Sequence, residues 1–184
     1  MRGRLFVLSG PSGSGKSTII SRILDTVNID FSVSATTRPP RPGEIDGHHY
    51  KFVTTDEFDS MVQNRMLLEW AEYNSNLYGT PAAPIEEANS EGRDVLLDIE
   101  IQGARQVKEN RPSAVMIFIA PPSMEVLEAR LRGRGDTSDR DIADRLSIAA
   151  YQLEVAPELF DFVVVNDDLD AAVAEVTSLI TGAI

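Results

Sequence analysis

The sequence contains no cysteine, which excludes disulfide scaffolds, thiolate zinc sites, iron–sulfur clusters and cysteine nucleophiles, and leaves nothing that calls for an oxidising compartment. It also lacks a long apolar run. The first such run, Leu5 to Leu8 within MRGRLFVLSGPSG, is too short for a signal peptide, and no stretch is long enough to span a bilayer. The expectation is a cytoplasmic protein with neither export nor membrane anchoring. Positive charge is scarce, with 17 lysines and arginines against 29 aspartates and glutamates and a formal charge of −12. A field of that sign repels a polyanion, so nucleic acid is not expected as a partner. There are only two histidines. They are the adjacent pair His48 and His49, which point different ways along the chain and have no acid at a ligand or base spacing, so they read as surface residues.

What is present suits one compact globular domain: 184 residues, 42% hydrophobic and 25% charged, enough to bury a sizeable core and unlike a disordered or collagenous chain. Leu5–Leu8, Val95–Ile99, Val115–Ile119 and Phe162–Val165 are short, nearly continuous apolar runs, as in strands covered on both faces. Helical spacing follows Leu5–Leu8 over Thr18–Val27, and helices are predicted at roughly 101–110, 123–133, 139–156 and 169–182. Strands alternating with helices indicate a doubly wound α/β protein with a parallel sheet. From about residue 34 to 91 the rhythm breaks into a proline-rich turn and short aromatic strands near Tyr50–Phe52 and Leu68–Tyr73, which reads as an inserted subdomain. Glycines at Arg132-Gly133-Arg134-Gly135 interrupt a helical pattern and suggest a mobile lid over about 126–156, leaving a core of about 1–33, 92–125 and 157–184 within a single domain. Met124, Val126, Leu127 and Leu131 fall at helical spacing and are core candidates.

Gly10-Pro11-Ser12-Gly13-Ser14-Gly15-Lys16-Ser17 fits the phosphate-binding pattern G-x-x-x-x-G-K-[ST] in full, between a predicted strand and a predicted helix. Its glycines let backbone N–H groups turn toward phosphate oxygens, the Lys16 ammonium reaches the β and γ phosphates, and the Ser17 hydroxyl suits Mg²⁺. Thr18 follows in the same first turn. Such a loop binds a nucleoside triphosphate without saying where the γ-phosphate goes. The usual guanine-reading Asn-Lys-x-Asp of GTPases is missing, since Asn166-Asp167-Asp168 lacks the lysine, which disfavours hydrolysis of GTP. Val95–Asp98 suits either a strand whose acid supports a magnesium shell or one whose acid faces an acceptor.

Ser34-Ala35-Thr36-Thr37-Arg38-Pro39-Pro40-Arg41-Pro42-Gly43-Glu44, followed by Gly47 and Tyr50, gathers two arginines, hydroxyls and an aromatic around a rigid turn. With the phosphate loop, Leu68-Glu69-Trp70-Ala71, Tyr78-Gly79-Thr80, Asp98-Ile99-Glu100-Ile101-Gln102-Gly103, Arg130 to Gly135 and Val165 to Asp168, the chain resembles the guanylate kinase family of P-loop nucleoside monophosphate kinases over nearly its whole length. The resemblance implies a three-layer P-loop kinase fold with a central parallel sheet, an inserted mixed α/β GMP-binding subdomain and a helical lid. It implies Mg²⁺-dependent phosphorylation of GMP by ATP, with small-molecule nucleotides as partners.

Residue by residue, it places the GMP phosphate against Arg38, Arg41, Tyr50 and Tyr78, and guanine against Glu69, Thr80 and Ser34. A carboxylate accepts from guanine N1–H and the 2-amino group while hydroxyls donate to O6, a pattern that adenine inverts. Asp98 and Glu100 are implied near GMP and the metal, with Glu100 departing from the more usual aspartate. Arg130, Arg134 and Arg145 are the implied lid arginines on the ATP side, Asn166 and Asp168 edge the adenine, and Lys16, Arg41 and Arg145 stabilise charge in transfer. Arg132 and Arg140 have weaker claims, and Trp70 is read as packing beside Glu69. A scaffold module that binds phosphorylated peptides shares this architecture, but such modules usually have degraded ATP motifs, and Gly15-Lys16-Ser17 is intact here. Lys16→Ala is expected to lower phosphoryl transfer by roughly 10²-fold or more while leaving the circular dichroism spectrum unchanged; full turnover by this variant would refute the assignment.

Overall fold

The computed structural model describes residues 2–73, 75–133 and 138–182. In chain order the elements are β1 (Leu5–Ser9), α1 (Lys16–Leu24), β2 (Asp30–Phe31), β3 (Ala35–Thr36), β4 (Lys51–Phe52), α2 (Thr55–Gln63), β5 (Leu67–Tyr73) and β6 (Asn76–Pro81). They continue as α3 (Ala82–Ser90), β7 (Val95–Asp98), α4 (Ile101–Asn110), β8 (Val115–Ala120), α5 (Met124–Arg132), α6 (Asp139–Leu159), β9 (Phe162–Val165) and α7 (Leu169–Thr181). The fold is α/β, as the alternation of apolar runs and amphipathic segments predicts. By its internal contacts the chain divides into two compact units, Met1–Leu5 with Ile29–Ala114 and Phe6–Asn28 with Val115–Ile184.

The first unit contains a parallel pair, β2 with β7, and a four-stranded mixed sheet in the order β4-β3-β6-β5. In that sheet β3 runs parallel to β4 and antiparallel to β6, and β6 is antiparallel to β5. Ala35, Phe58 and Met61 make a small core beneath it. The helix α2 starts at a capping box: the Thr54 hydroxyl accepts from the Glu57 backbone N–H, and the Glu57 carboxylate accepts in return from Thr54. That reciprocal pair satisfies backbone donors which the first helical turn leaves without partners.

The second unit is built on β1, β8 and β9, all parallel, with β8 in the middle. Phe6, Val7 and Leu8 of β1 and Met116 to Ile119 of β8 are fully buried. Leu127 and Leu131, four residues apart on one face of α5, pack with Ile142 and Ala149 of α6. Val126 departs from the sequence reading: it is exposed, because it lies about 100° around the helix from Leu127. The run Phe162–Val165 departs too. Only Val164 is buried in β9, since this strand has β8 on one side and ends the three-strand set in its unit, so its composition does not report coverage on both faces. The helix α6 runs through Pro157 to Leu159 rather than stopping near 156. Proline within its last turn removes one backbone donor without ending the helix. Of the predicted glycine bend, Arg134 and Gly135 lie outside the described residues.

Phe118 is fully buried, with its ring centroid 5.2 Å from that of Phe160. Phe118→Ala is expected to cost about 3–5 kcal/mol of stability, and the exposed Phe162→Ala less than about 1 kcal/mol; urea unfolding of both variants measures the difference.

Candidate functional site

In the second unit the sequence Gly10–Gly15 folds as a loop whose glycines hold backbone angles closed to most L residues. Gly13 and Gly15 have φ of 93° and 92°, and a Cβ on Gly15 would collide with the Asn166 side-chain amide. The Asn166 amide donates to the Ser14 carbonyl at 2.7 Å and is itself buried. The carbonyl of Asn166 in turn accepts from Arg130 Nη2 at 2.9 Å. Asn166 and Arg130, expected at the nucleotide, thus form a strut that fixes the loop. Arg145 Nη1 lies 3.3 Å from the Ser12 hydroxyl, so α6 brings a second arginine to the same loop.

The helix α1 begins at Gly15 with no side-chain cap and no acid in its first turn. Its leading N–H groups and its partial positive charge therefore favour an anion. The Ser14 hydroxyl and Arg130 Nη1 are buried without a hydrogen-bond partner among the described residues, polar groups of the kind that a bound ligand satisfies. Ser17 and Thr18 lie in the first turn and are both exposed, with Lys16 beside them. No group of three acidic or histidine side chains among the described residues suits a metal. The Ser17 hydroxyl is an oxygen donor of the kind that a hard cation takes beside phosphate oxygens and water. Asp168, expected beside the adenine, caps α7, accepting from the Ala171 backbone N–H at 2.9 Å.

In the first unit the turn after β3 carries the arginines. Arg38 forms a two-pronged ion pair with Glu44, at 2.8 and 2.9 Å, and stacks over the rings of Tyr50 and Phe52. Tyr50 meets Tyr78 edge to face at 6.0 Å. The Glu44 carboxylate also accepts the Arg41 backbone N–H at 2.7 Å. The Arg38 guanidinium, followed by the Arg41 backbone N–H, holds the Glu44 carboxyl down at about 2, and Glu44 raises the Arg38 guanidinium above its ordinary value. Arg41 itself is exposed. Sequence reasoning quoted Glu44 within the motif and gave it no role. Its signal was an acid six residues after an arginine across a Pro-Gly turn, a spacing that closes a loop.

Glu69 and Thr80 face each other directly across β5 and β6, next to a register shift between Leu67 and Glu69. Thr80 is fully buried and Glu69 only 5% exposed; the Thr80 hydroxyl donates to Glu69 Oε1 at 2.5 Å. Burial pushes the Glu69 carboxyl up to about 7, against the opposing pull of the Thr80 hydroxyl and backbone N–H. The sheet thus carries Glu69 on β5 and Tyr78 and Thr80 on β6, with Ser34 just before β3, Arg38 just after it and Tyr50 just before β4. Asp98 ends β7, and Glu100 flanks the start of α4 without capping it through its side chain. Trp70 does not share the burial of Glu69: it is 42% exposed and packs edge-on against Phe58. His48 and His49 are exposed, as expected, with His49 Nδ1 accepting from the Ile45 backbone N–H. Gly103 was quoted only as part of a motif, yet a Cβ there would meet the Glu69 carboxylate.

Residues 2–183 match the family model described as guanylate kinase. The guanylate kinase of Synechocystis sp. is 53% identical over 181 residues, covering 98% of this chain and 94% of the relative. A guanylate kinase of Thermus thermophilus is 51% identical over 181 residues, covering 98% of this chain and 82% of the relative. Among solved structures, the guanylate kinase from Anaplasma phagocytophilum superposes with a TM-score of 0.81 at 35% identity, over 99% of this chain and 86% of that one.

The raised Glu69 carboxyl makes stability depend on pH. Its folded form keeps the proton to about 7 while the unfolded form releases it near 4.5, so the contribution is complete below pH 4.5 and is lost as pH rises through 7. The loss is on the order of 3 kcal/mol. Urea unfolding across that range is expected to show stability falling with pH, and a flatter profile for Glu69→Gln.

Proposed function

Because the chain belongs to the guanylate kinase family, we propose that it transfers the γ-phosphoryl group of Mg·ATP to GMP, and to dGMP, giving ADP and GDP by direct in-line displacement. The observation that carries this reading is the buried Glu69–Thr80 pair on the same four-stranded sheet as the Arg38, Tyr50 and Tyr78 cluster. One part suits a base with adjacent N–H donors and the other a phosphate.

On the acceptor side, Arg38 is already oriented by Glu44 and needs little ordering to meet a phosphate oxygen. Arg41, Tyr50 and Tyr78 complete that role, with Ser34 beside Thr80 at the base and Asp98 and Glu100 near GMP and the metal. Guanine presents N1–H and 2-amino donors to an ionised Glu69. Adenine offers Glu69 an acceptor nitrogen instead, leaving a buried carboxylate unpaired, a penalty that discriminates by orders of magnitude. On the donor side, backbone N–H groups from Gly10 to Ser17 hold phosphate oxygens, Lys16 reaches the β and γ groups, and Arg130, Arg134 and Arg145 supply further positive charge. Mg²⁺, held by the Ser17 hydroxyl and phosphate oxygens, supplies charge neutralisation when bound with ATP.

The attacking GMP phosphate oxygen is ionised near neutral pH, so the side chains align, neutralise and exclude water rather than remove a proton. No covalent enzyme intermediate is required. We take the segment of about 34–91 as the acceptor-binding part and about 126–156 as a lid that shields the transferring group. No described helix is long and apolar enough to cross a membrane. In this reading the protein is a cytoplasmic enzyme of purine nucleotide recycling that binds small nucleotides, with neither a membrane nor nucleic acid, which the formal charge of −12 opposes, as a partner. ADP release from Mg·ATP, measured with GMP, dGMP, AMP, CMP, UMP, dTMP or water alone as acceptor, is expected to be strong only with GMP and dGMP. Turnover independent of GMP would overturn the reading.

A further inference from the structure

The strand β5 is the last of its four-stranded sheet, so one side of its backbone has no strand partner among the described residues. A run of polar backbone groups on such an edge needs other partners. The helix α4 provides them. Gln106 makes both bonds that a neighbouring strand would make to Trp70: its side-chain oxygen accepts the Trp70 N–H at 3.2 Å, and its amide donates to the Trp70 carbonyl at 2.7 Å. Asn110 donates to the Leu68 carbonyl at 3.3 Å. Leu68 and Trp70 flank Glu69, so the two amides fix the backbone on both sides of that residue.

Gly103 lies three residues before Gln106 and seven before Asn110, on the same helical face. It is buried, and the Glu69 carboxylate occupies the space that any larger side chain would need. Thr80 holds Oε1 from the opposite strand. The carboxylate is therefore confined from two directions, by a hydroxyl on β6 and by the bare backbone of α4. A site that reads a base through a single carboxylate loses affinity and selectivity when that group moves by an ångström, which makes such supporting contacts consequential.

We propose that Gly103, Gln106 and Asn110 form a positioning stripe on α4 that sets the Glu69 carboxylate for base recognition. Gln106 and Asn110 stand in for a missing strand, and Gly103 leaves the room that the carboxylate fills. None of the three needs to touch the nucleotide. The inference rests on the acceptor reading given above, and it predicts a loss confined to recognition of the base.

The test compares GMP with IMP as acceptors at saturating Mg·ATP, because IMP keeps N1–H and O6 and lacks only the 2-amino group. Gln106→Leu is expected to raise KM for GMP about tenfold and to narrow the preference for GMP over IMP, with kcat and KM for ATP within about twofold of the unaltered enzyme. Gln106→Glu, which keeps the acceptor for the Trp70 N–H and loses the donor, is expected to fall between the two. Gly103→Ala is expected to weaken GMP similarly, but to add less than about twofold in a Glu69→Asp background, where the shorter side chain has vacated the space. Equal losses on GMP and IMP, a parallel rise in KM for ATP, or independent effects of Gly103→Ala and Glu69→Asp would reduce the stripe to a structural role and overturn the proposal. Absence of any GMP-dependent ADP release by the unaltered protein overturns the acceptor reading itself, and the positioning role with it.

Discussion

A carboxylate taken out of water must find compensation or a proton, and the four-stranded sheet meets that requirement at Glu69. The compensation is incomplete. Thr80 contributes a hydroxyl and a backbone N–H, which partly offset desolvation. The remaining hydrogen-bonding capacity of a carboxylate group with about four lone-pair positions is what a base edge with two adjacent donors would satisfy. Register follows from the same requirement: the shift between Leu67 and Glu69 places Glu69 opposite Thr80, whereas a slip of one residue would turn the carboxylate to the other face of the sheet. In the proposed function, specificity would therefore depend on strand pairing as much as on the identity of the side chain.

The phosphate loop meets a different constraint. Its N–H groups must converge, which forces its carbonyls outward, and an outward carbonyl that is buried needs a donor. Asn166 supplies it to Ser14, from far along the sequence. Arg130 then holds Asn166 through its carbonyl. This chain of contacts gives an arginine expected at the nucleotide a second task, since the same guanidinium that braces the strut keeps one buried nitrogen without a partner among the described residues. Bracing and ligand binding are compatible because the planar fork has five donors in fixed directions.

The features legible in the sequence were those whose physics is local. The loop from Gly10 to Ser17 is contiguous, its glycine requirement is set by backbone angles, and its flanking strand and helix show their periods within a few residues. The predicted bounds of α4 match those observed for the same reason. What the sequence did not reveal lies between distant residues. Nothing near Gly103 says that its missing side chain makes room for a glutamate on a strand well before it, and nothing near Gln106 says that it completes a strand edge. The apolar composition of β9 predicted a strand correctly and its burial wrongly, because exposure depends on which neighbours a strand acquires. Val126 failed for a smaller reason: Met124, Val126 and Leu127 are spread too widely around the helix for all of them to face one side.

The two arginines of the proline-rich turn show how pre-organisation divides labour within one motif. Arg38 is mostly buried, paired at both prongs with Glu44 and laid over two aromatic rings, so its orientation is settled before any ligand arrives. Arg41 is exposed and tied to the same glutamate through its backbone. In the proposed function, the first arrangement would lower the entropy lost on binding, and the second would let a cation follow a group whose charge moves during reaction. Glu44 links them, because one carboxylate accepts from the side chain of the first and the backbone of the second. An acidic protein can thus carry a local concentration of positive charge, provided that an acid such as Glu44 holds its arginines in place.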